Sequence, residues 1–598
     1  MAVYYISPNG DDSRSGNSQD TAWKTCEKVN CSKFFPGDRI RFERGGKWNE
    51  TLIPTSSGTA ENPIVIEPYG EGAPPILTGE IEITEWVNEG NNIYSKTNPD
   101  FKNLELLTID GNTREKGRFP KKTYLTTTSA SGNASVTTKS AEFPSSLDFK
   151  GGEIVVTKNS WIQDKGKITG HSNGTLTYAG TSKYPASEGW GFFVQNHASC
   201  LTEFGDWWFD SSAKKLFMHF GEEYPSAHVI KVANSVSVVD VKRVNHLRFE
   251  NIDIIYGHKQ CVALTNAKDN TFKCCNIRYA GAHGFQHYDL GGFSDGTTIE
   301  GCTIQDTFNN AIKANNNFSI TIKNCAISRN YIHPGTAGNG DGNGSTIALG
   351  IDNYRGGKYI VEDNLIEDSG YDAIHFSMSD VSVKRNKIYS SCLTKEDGGA
   401  IYCFGKGGGE KYVNRQICEN TIVNTLALTV PNGWKAQEVY AIYLDEDCQN
   451  VIVENNTVIN AVNGIYLHAA KNNQIRFNKV YNTTYSGLYV KANNETEAST
   501  GNTITDNEFH FFSGCGVRLV SKNNLTNIGT INRNRYVKPT GGDLFDVNYG
   551  GDKYSSIASW TKAYGYDANS STDPTTKIPI PDPDPIKSKS AESDEDCF

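Results

Sequence analysis

Two acidic residues stand in segments that could present a carboxylate for acid–base chemistry. Asp445 ends the tyrosine-rich segment YAIYLD (440–445), in which strand alternation would turn its side chain outward. Asp397 precedes two glycines, which let the backbone approach a neighbour closely. A pair of carboxyl groups hydrolyses glycosidic bonds when they lie about 5 Å apart, for retention, or about 6.5–9.5 Å apart, for inversion. We take Asp445 and Asp397 as the candidate pair; the alternative is a turn residue and a solvated acid at a strand end.

The positions of the two aspartates within their segments argue against this pair if the strands are straight. Asp397 lies four residues before Ile401, and Asp445 lies three residues after Ile442, the corresponding inward residue. At 3.3 Å per residue this offset is about 23 Å. The pair therefore requires the glycine turn to fold Asp397 back toward Asp445.

The elements that would position these residues form a repeat from about residue 245 onward. A short phrase recurs nine times, from IEGCTI (299–304) to INRNRY (531–536): an aliphatic residue, two variable ones, Asn or Cys, one variable residue and an aliphatic. The spacing of its fourth position, at least 22 residues, fits a solenoid whose larger coils carry loop insertions. The fourth positions are Cys302, Cys325, Asn364, Asn386, Asn420, Asn456, Asn478, Asn507 and Asn534.

The asparagine at the fourth position explains how each coil could turn. The aliphatic residues occupy the first and sixth positions of the phrase. In a regular strand these two side chains would point to opposite faces, so the chain must bend between them if both are to point inward. Asparagine tolerates the left-handed conformation, and its amide can bond to the asparagine of the next coil, about 4.8 Å away. Such a ladder is typical of right-handed parallel β-helices. We expect Cys275, Cys302 and Cys325 to continue it as reduced thiols rather than as a disulfide or a metal site.

A second phrase predicts one strand per coil with two outward rows of side chains. The first row contains four tyrosines, and the second contains Asp445 and, 23 residues later, His468. His468 would lie about 5 Å from Asp445 on the next coil, so it is a third candidate catalytic residue, as a proton donor or a sugar ligand. We expect the face to be an exposed groove for a polymer, the alternative being a face covered by inserted loops. The candidate substrate-binding residues are His375, Tyr402, Tyr443, Glu446, Tyr466, Tyr489 and Lys491.

Composition and the extent of the repeat predict an all-β chain in four parts. The chain has 57 Gly, 3 Met and many Asn, which favours turns over helices. Residues 1–100 are predicted to form an N-terminal cap and first coils. Residues 101–235 interrupt the repeat as an inserted β subdomain, 236–545 form the regular β-helix, and 546–598 form a Pro/Asp-rich linker and polar tail.

This organisation resembles a large group of right-handed parallel β-helix carbohydrate-active proteins. The likeness covers most of residues 3–545 and is carried by YYISPNGDDSRSGNSQDTAWKTCEKVN, WWFDSSAKKLFMHF, EDGGAIYCFG and YAIYLDEDC. It is strongest to β-helix glycoside hydrolases of xylosyl or fucosyl linkages; other members of the group are polysaccharide lyases, with the pectate-lyase-like fold, and uronate epimerases. The resemblance implies that Asp445, in an L-D segment, is a catalytic carboxylate. In one such family the partner acid occupies the position that here is His468, which leaves the acid–base assignment open.

Two other functions are compatible with the same sequence. A polysaccharide lyase would need a base, His468 or Tyr466, and cations to neutralise a uronate carboxyl, here Lys313, Lys491 and Arg518. A non-catalytic glycan-binding or fibre protein would need the stacked surface but no convergent acid pair.

No cofactor or metal is predicted. The loop GNGDGNGS (338–345) has oxygen ligands at calcium-like spacing, but position twelve of an EF-hand count is Gly350 instead of Glu, so an ordinary turn is preferred.

The predicted groove and the resemblance imply a polysaccharide or oligosaccharide as the partner, and charge and hydropathy argue against two other kinds of partner. The net charge is −10 and no basic cluster is present, which argues against nucleic acid. No stretch approaches the roughly 18 apolar residues of a membrane span. We expect a secreted, cell-surface or periplasmic protein. Because residues 1–5 do not look like a signal peptide, we expect the export signal to have been trimmed or the protein to leave the cell by another route.

Overall fold

The protein is a right-handed parallel β-helix with an inserted β subdomain, as the sequence predicts. The computed structural model describes all residues except 140–141, 144–146, 289–294, 316–318, 351–356, 406–411, 427–437, 493–497, 522–524, 549, 574–579 and 582–598. The described helices are α1 (Cys26–Asn30) and α2 (Ile557–Tyr564), with short 3-10 turns at Gln19–Thr21, Ala198–Cys200 and Pro225–Ala227. Neither α-helix has the length and apolar character needed to cross a membrane.

The first coils of the β-helix are formed by residues near the N-terminus. Strands β1 to β5 are, in order, Val3–Ile6, Arg39–Glu43, Lys47–Trp48, Ile64–Tyr69 and Ile76–Thr78. After the insertion, the chain returns directly beside them, because Leu247–Glu250 pairs in parallel with Ile64–Tyr69. The two segments therefore belong to one continuous solenoid.

The rest of the β-helix stacks coil upon coil on three parallel sheets, which we name A, B and C. Sheet A has fourteen strands. Sheet B contains strands such as Asn276–Ala280 and Thr303–Thr307, and sheet C contains strands such as Ile374–Phe376, Gly398–Phe404 and Val439–Asp445. The two are joined where the long strands Asp253–Thr265, Thr457–His468 and Lys479–Lys491 run through both. Strands β22 to β54 are, in order, Ser235–Lys242, Leu247–Glu250, Asp253–Thr265, Thr271–Lys273, Asn276–Ala280, His283–Tyr288, Thr297–Glu300, Thr303–Thr307, Asn310–Asn315, Ile320–Lys323, Ala326–Asn330, Ile347–Leu349, Tyr359–Glu362, Leu365–Ser369, Ile374–Phe376, Val381–Lys384, Lys387–Tyr389, Gly398–Phe404, Arg415–Cys418, Thr421–Thr425, Val439–Asp445, Val451–Glu454, Thr457–His468, Gln474–Arg476, Lys479–Lys491, Asn502–Thr505, Glu508–His510, Cys515–Val520, Gly529–Asn532, Arg535–Val537, Phe545–Val547, Asp552–Tyr554 and Ser571–Thr572.

The predicted asparagine ladder is present inside the β-helix. Each amide from Asn364 to Asn507 donates to the side-chain oxygen of the next coil's asparagine at 2.9–3.1 Å. The thiols of Cys275, Cys302 and Cys325 are free, as expected, and face backbone carbonyls. One detail differs from the prediction: the left-handed residue is the one before the ladder residue, such as Asp363 at φ 59°, because the bend precedes the inward side chain.

In its described residues, the inserted subdomain has three antiparallel sheets packed around two apolar clusters of its own. Strands β6 to β21 are, in order, Glu80–Glu82, Val87–Gly90, Ile93–Thr97, Leu107–Ile109, Asn112–Arg114, Arg118–Phe119, Leu125–Thr126, Ser129–Ser131, Ser135–Thr137, Glu153–Thr157, Gln163–Ser172, Thr175–Ala179, Gly191–Gln195, Trp207–Asp210, Lys215–His219 and Ile230–Ala233. The insertion thus begins near residue 80, about 20 residues before the boundary expected from the sequence. The boundary was misplaced because EIEIT (80–84) alternates polar and apolar residues, as a strand of a coil does.

The end of the β-helix is covered by a folded segment that the sequence analysis took for a linker. Helix α2 begins after Ser556, whose hydroxyl accepts from the Ser559 amide, and ends at Gly565 in the left-handed conformation. Its Trp560 is fully buried and stacks on Phe545 of the last coil, with ring centroids 4.6 Å apart. Solenoids need such a cap because their terminal coil otherwise exposes its core. Most of the Pro/Asp-rich stretch that follows lies outside the described residues.

Candidate active site

Most of the predicted site residues meet at one cavity on the outer face of sheet C. Its volume is about 610 Å³. The strands that carry the site, Gly398–Phe404 and Val439–Asp445, pair in parallel with Tyr402 beside Tyr443. Seven of the predicted residues line the cavity, namely His375, Asp397, Tyr402, Tyr443, Asp445, Glu446 and His468.

Asp445 is held at the cavity wall by three hydrogen-bond donors. One carboxylate oxygen lies 2.7 Å from Nδ1 of His468 and accepts from the Glu446 amide at 2.8 Å. The other oxygen accepts from the hydroxyl of Tyr402 at 2.7 Å. Burial opposes ionisation, but the bond to His468, its charge and the Tyr402 hydroxyl outweigh it and hold the pKa of Asp445 below its ordinary value.

Asp397 lies in the turn just before its strand, and its surroundings favour the protonated form. Its backbone is left-handed, with φ 50°, and its carbonyl accepts from the hydroxyl of Tyr371 at 2.9 Å. Its carboxyl accepts from the hydroxyl of Tyr443 at 3.1 Å. Burial, followed by the negative charges of Asp445 and Glu438, raises the pKa of Asp397 to about 8.

The two aspartates are close enough to act on one substrate. Asp397 contacts the Tyr443 hydroxyl at 3.1 Å, that hydroxyl lies 3.5 Å from Nδ1 of His468, and His468 lies 2.7 Å from Asp445. This chain of contacts sets an upper limit of about 9.3 Å on the separation of the two carboxylate oxygens, which does not exceed the upper end, about 9.5 Å, of the range for paired glycosidase acids. The offset of seven residues along the strands is present, since Asp445 lies beside Phe404. It does not separate the carboxyl groups, because Asp397 stands in a left-handed turn and the long Tyr443 side chain reaches it.

A buried aspartate that the sequence analysis missed fixes the turn beside Asp397. One oxygen of Asp372, which is fully buried, accepts from the Gly399 amide at 2.9 Å. Its other oxygen lies 3.1 Å from Nδ1 of His375, whose ring packs on Tyr402 at 4.6 Å. Asp372 therefore connects the Asp397 turn to the aromatic wall of the cavity.

The tyrosine row is largely a packed cluster and not the exposed groove expected from the sequence. The ring of Tyr466 packs against Tyr443 at a tilt, with centroids 4.7 Å apart, and stacks on Tyr489 at 4.5 Å. Tyr466 and Tyr489 are only 3% and 5% exposed and do not line the cavity, and neither does Lys491. Tyr440, at the start of its strand, covers this row by stacking on Tyr466 at 4.3 Å. Outward-facing strand residues are buried here because neighbouring side chains fold over them.

Part of the cavity wall comes from the inserted subdomain and from the loop 338–345. Trp161 and Tyr184 of the insertion, and Asp341 of the loop, line the same cavity as the two aspartates. Sequence reasoning missed them because the insertion breaks the repeat and has no periodicity that would register it against the coils. The only feature of the sequence that could have pointed to these residues is the aromatic content of the inserted segment.

The cations proposed for lyase chemistry do not reach the cavity, although the alternative base His468 and Asp341 of the loop 338–345 line it. Within the described part of the chain, no lysine or arginine lines the cavity. Arg518 instead donates to the hydroxyl of Tyr485 at 2.6 Å, and Lys313 lies opposite Ala348 on an earlier coil. In the loop 338–345, the Asn339 side-chain oxygen accepts from the Lys165 amide and both Asp341 oxygens accept from the Tyr184 hydroxyl. No group of three or more metal-ligating His, Cys, Asp or Glu residues occurs among the described residues.

Comparison with known proteins gives the same fold. The family model for the periplasmic copper-binding protein NosD matches residues 421–540. A solved glycoside hydrolase superposes with a TM-score of 0.58 at 15% identity, covering 78% of this chain and 95% of that one. A GH136 lacto-N-biosidase from Eubacterium ramulus gives a TM-score of 0.39 at 13% identity, covering 96% and 67%.

One sequence relative aligns over a short segment. The lacto-N-biosidase of Bifidobacterium longum subsp. longum is 36% identical over 92 residues, which is 14% of this chain. The alignment spans 6% of that relative's length.

Proposed function

We propose that the protein is a glycoside hydrolase in which Asp397 is the general acid and Asp445 is the ionised partner. The observation that carries the proposal is that the pKa values of two neighbouring carboxyl groups are shifted in opposite directions. The environment raises the pKa of Asp397 to about 8 and lowers that of Asp445. A protonated and an ionised carboxyl within one cavity are the groups that glycoside hydrolysis uses at neutral pH.

In this mechanism each group has a defined task. The Asp397 carboxyl donates its proton to the glycosidic oxygen as the bond to the anomeric carbon breaks. Positive charge that develops on the sugar ring is stabilised by the Asp445 carboxylate. Either this carboxylate takes a proton from a water molecule that attacks the anomeric carbon, or it bonds to the anomeric carbon itself; in the second case a water molecule, deprotonated by the Asp397 carboxylate, then releases the sugar and restores Asp445. The upper limit on the distance between the two carboxyl groups is compatible with both retention and inversion. His468 and Tyr402 orient the Asp445 carboxylate and act as positioning residues.

The same cavity is poorly suited to β-elimination from a uronate. That reaction needs a cation or metal to neutralise the substrate carboxylate. No lysine or arginine lines the cavity in the described part of the chain, and Asp445 would repel an anionic sugar. The proposal therefore includes a neutral glycan as the substrate. We propose a secreted, cell-surface or periplasmic location, where structural polysaccharides would be accessible to the enzyme.

The short alignment with a lacto-N-biosidase and the fold of a glycoside hydrolase agree with this proposal without specifying a glycan. A glycan-binding or fibre protein would have no need of two carboxyl groups driven to opposite protonation states. The divergence favours catalysis over that alternative.

The test is hydrolysis of a polysaccharide panel by purified protein. Xylan, arabinan, galactan, mucin, polygalacturonate and alginate would be incubated, with reducing ends and absorbance at 235 nm recorded in parallel. We expect new reducing ends without absorbance from a neutral glycan. Asp397→Asn and Asp445→Asn should each lower the rate by a factor of about 10²–10⁴.

Asp447→Asn is the matched control. Asp447 lies in the turn directly after the strand that ends at Asp445, pairs with Lys471 and does not line the cavity. Its rate should equal that of the wild type. A rise at 235 nm would indicate a lyase and overturn the proposal, as would full hydrolysis by the Asp397 and Asp445 variants.

A further inference from the structure

The cavity is closed on one side by the inserted subdomain. Trp161 and Tyr184 of the insertion stand edge to face, with ring centroids 6.1 Å apart, and both line the cavity. The Tyr184 hydroxyl contacts both carboxylate oxygens of Asp341 at 2.8 Å. These three side chains form a wall, here called the end wall.

The end wall is anchored to the β-helix by several further contacts. The Gly340 amide donates to Asp164 at 2.9 Å, and the Asn339 side chain exchanges hydrogen bonds with the Lys165 backbone at 2.7 and 2.8 Å. The hydroxyl of the fully buried Tyr331 donates to Gln163 at 2.9 Å. Because these bonds hold both sides of the contact, the end wall is a fixed part of the fold.

Among the described residues, the cavity does not continue over the following coils of sheet C. On the following coils, Tyr466 and Tyr489 are buried by Tyr440 and by each other. A polymer passing through the site would need an open path on both sides of the carboxyl pair. The described residues provide a pocket instead.

We propose that the end wall makes this an exo-acting enzyme, which accepts the end of a neutral glycan chain and in which Trp161 and Tyr184 contact the terminal sugar. This inference rests on the proposed function. Aromatic rings offer a flat apolar face and, in Tyr184 and Trp161, a polar edge for sugar hydroxyls. Tyr184 and Asp341 are then specificity-determining residues, since their bond closes the pocket.

The test follows product formation from a defined probe. Oligosaccharides of six to eight units, prepared from the panel polysaccharide that wild type hydrolyses and fluorescently labelled at the reducing end, would be separated at early time points. Wild type should shorten the labelled chain in constant steps with one small unlabelled product, or remove the labelled end in a single step. In Tyr184→Ala, the ratio of internal to terminal cleavage should rise at least tenfold.

Two variants accompany this measurement. Tyr184→Phe keeps the ring but removes the bond to Asp341, and should show a smaller shift in the same direction. Tyr224→Ala changes an exposed tyrosine elsewhere in the insertion and should keep the wild-type product pattern.

The outcomes separate the two proposals. Random internal fragments from wild type at the first time point, with Asp397→Asn inactive, would overturn the end-wall inference and leave the hydrolase proposal standing. An unchanged product pattern in a folded Tyr184→Ala would likewise overturn it. Absence of hydrolysis by wild type on every panel member would overturn both.

Discussion

Nδ1 of His468 lies 2.7 Å from a carboxylate oxygen of Asp445, although the two residues are 23 positions apart in the chain. The contact exists because Thr457–His468 stacks on Val439–Asp445 in parallel register, with Leu467 beside Leu444. An ionised carboxylate only accepts hydrogen bonds, so Nδ1 must carry a proton. The sequence repeat thus places a proton-bearing imidazole against the carboxylate that we expect to be ionised during the reaction.

The first prediction concerns the dependence of kcat/KM on pH. Asp397 must be protonated to act as an acid, and its pKa is about 8, so activity should fall as the pH rises through about 8. Asp445 must be ionised, and its pKa lies below the ordinary 3.8, so its own acidic limb should lie below that value. A pH–rate profile with circular dichroism at each pH checks this. An alkaline limb above pH 10 would contradict the assignment of Asp397.

The raised pKa of Asp397 has a second consequence that needs no substrate. A carboxyl whose folded-state pKa is raised stabilises the fold fully below its unfolded pKa and loses that contribution as the pH rises through about 8. Replacing it with Asn removes this dependence. The difference in Tm between Asp397→Asn and wild type should therefore become more positive from pH 5 to pH 9. A difference independent of pH would mean that the carboxyl is not perturbed.

The third prediction concerns His468. The His468→Ala variant removes the bond and charge that lower the pKa of Asp445, so burial should then raise that pKa. The acidic limb of the pH–rate profile should move up by about one unit or more. His468→Gln can still donate one hydrogen bond and should recover part of the shift. The control is His228→Gln, because His228 pairs with Asp110 and Glu223 in the insertion, remote from the cavity lining.

Repetition made the coil interior predictable, but not what covers it. The parity of Ile401 and Ile442 correctly placed Tyr402 beside Tyr443, since parallel register follows from repeat spacing. Alternation predicts only that a side chain points away from the core of the β-helix. Tyr466 does so, but it is buried because Tyr440 stacks on it. The strand Ile347–Leu349, which pairs with Asn310–Asn315 and with Ile374–Phe376, was missed because the segment 331–346, which contains no strand, separates it from the repeat phrase at 322–327.

The chemistry of the site depended on contacts that no repeat encodes. The return of Asp397 toward Asp445 depends on a left-handed turn held by Asp372, and Trp161 reaches the cavity from the insertion. These are long-range contacts between irregular segments. Their partners can be identified only when the fold is known.

The fourth prediction tests the asparagine ladder. The buried Asn420 amide donates to Asn456 at 3.0 Å and to the Val383 carbonyl at 2.9 Å, while its oxygen accepts from Asn386. Asn420→Ala leaves these partners unsatisfied, at about 1–3 kcal/mol each, and should lower the free energy of unfolding by about 3 kcal/mol or more. Urea titration followed by circular dichroism measures this. Exposed Asn9→Ala is the control, and an equal effect of both would show that the ladder adds no stability.

The last prediction concerns the C-terminal cap. Trp560 is fully buried, stacks on Phe545 and donates from its indole nitrogen to Asp567 at 3.0 Å. Trp560→Ala should therefore lower the free energy of unfolding by about 3–5 kcal/mol. Exposed Phe512→Ala, close to the same end of the solenoid, should change it little. Because each coil contacts only its neighbours, loss of the cap should fray the last coils before it reaches Asp445. Limited proteolysis should then release C-terminal fragments first, while the hydrolysis rate per folded molecule is retained; equal loss of activity and structure would instead show that the β-helix unfolds as one unit.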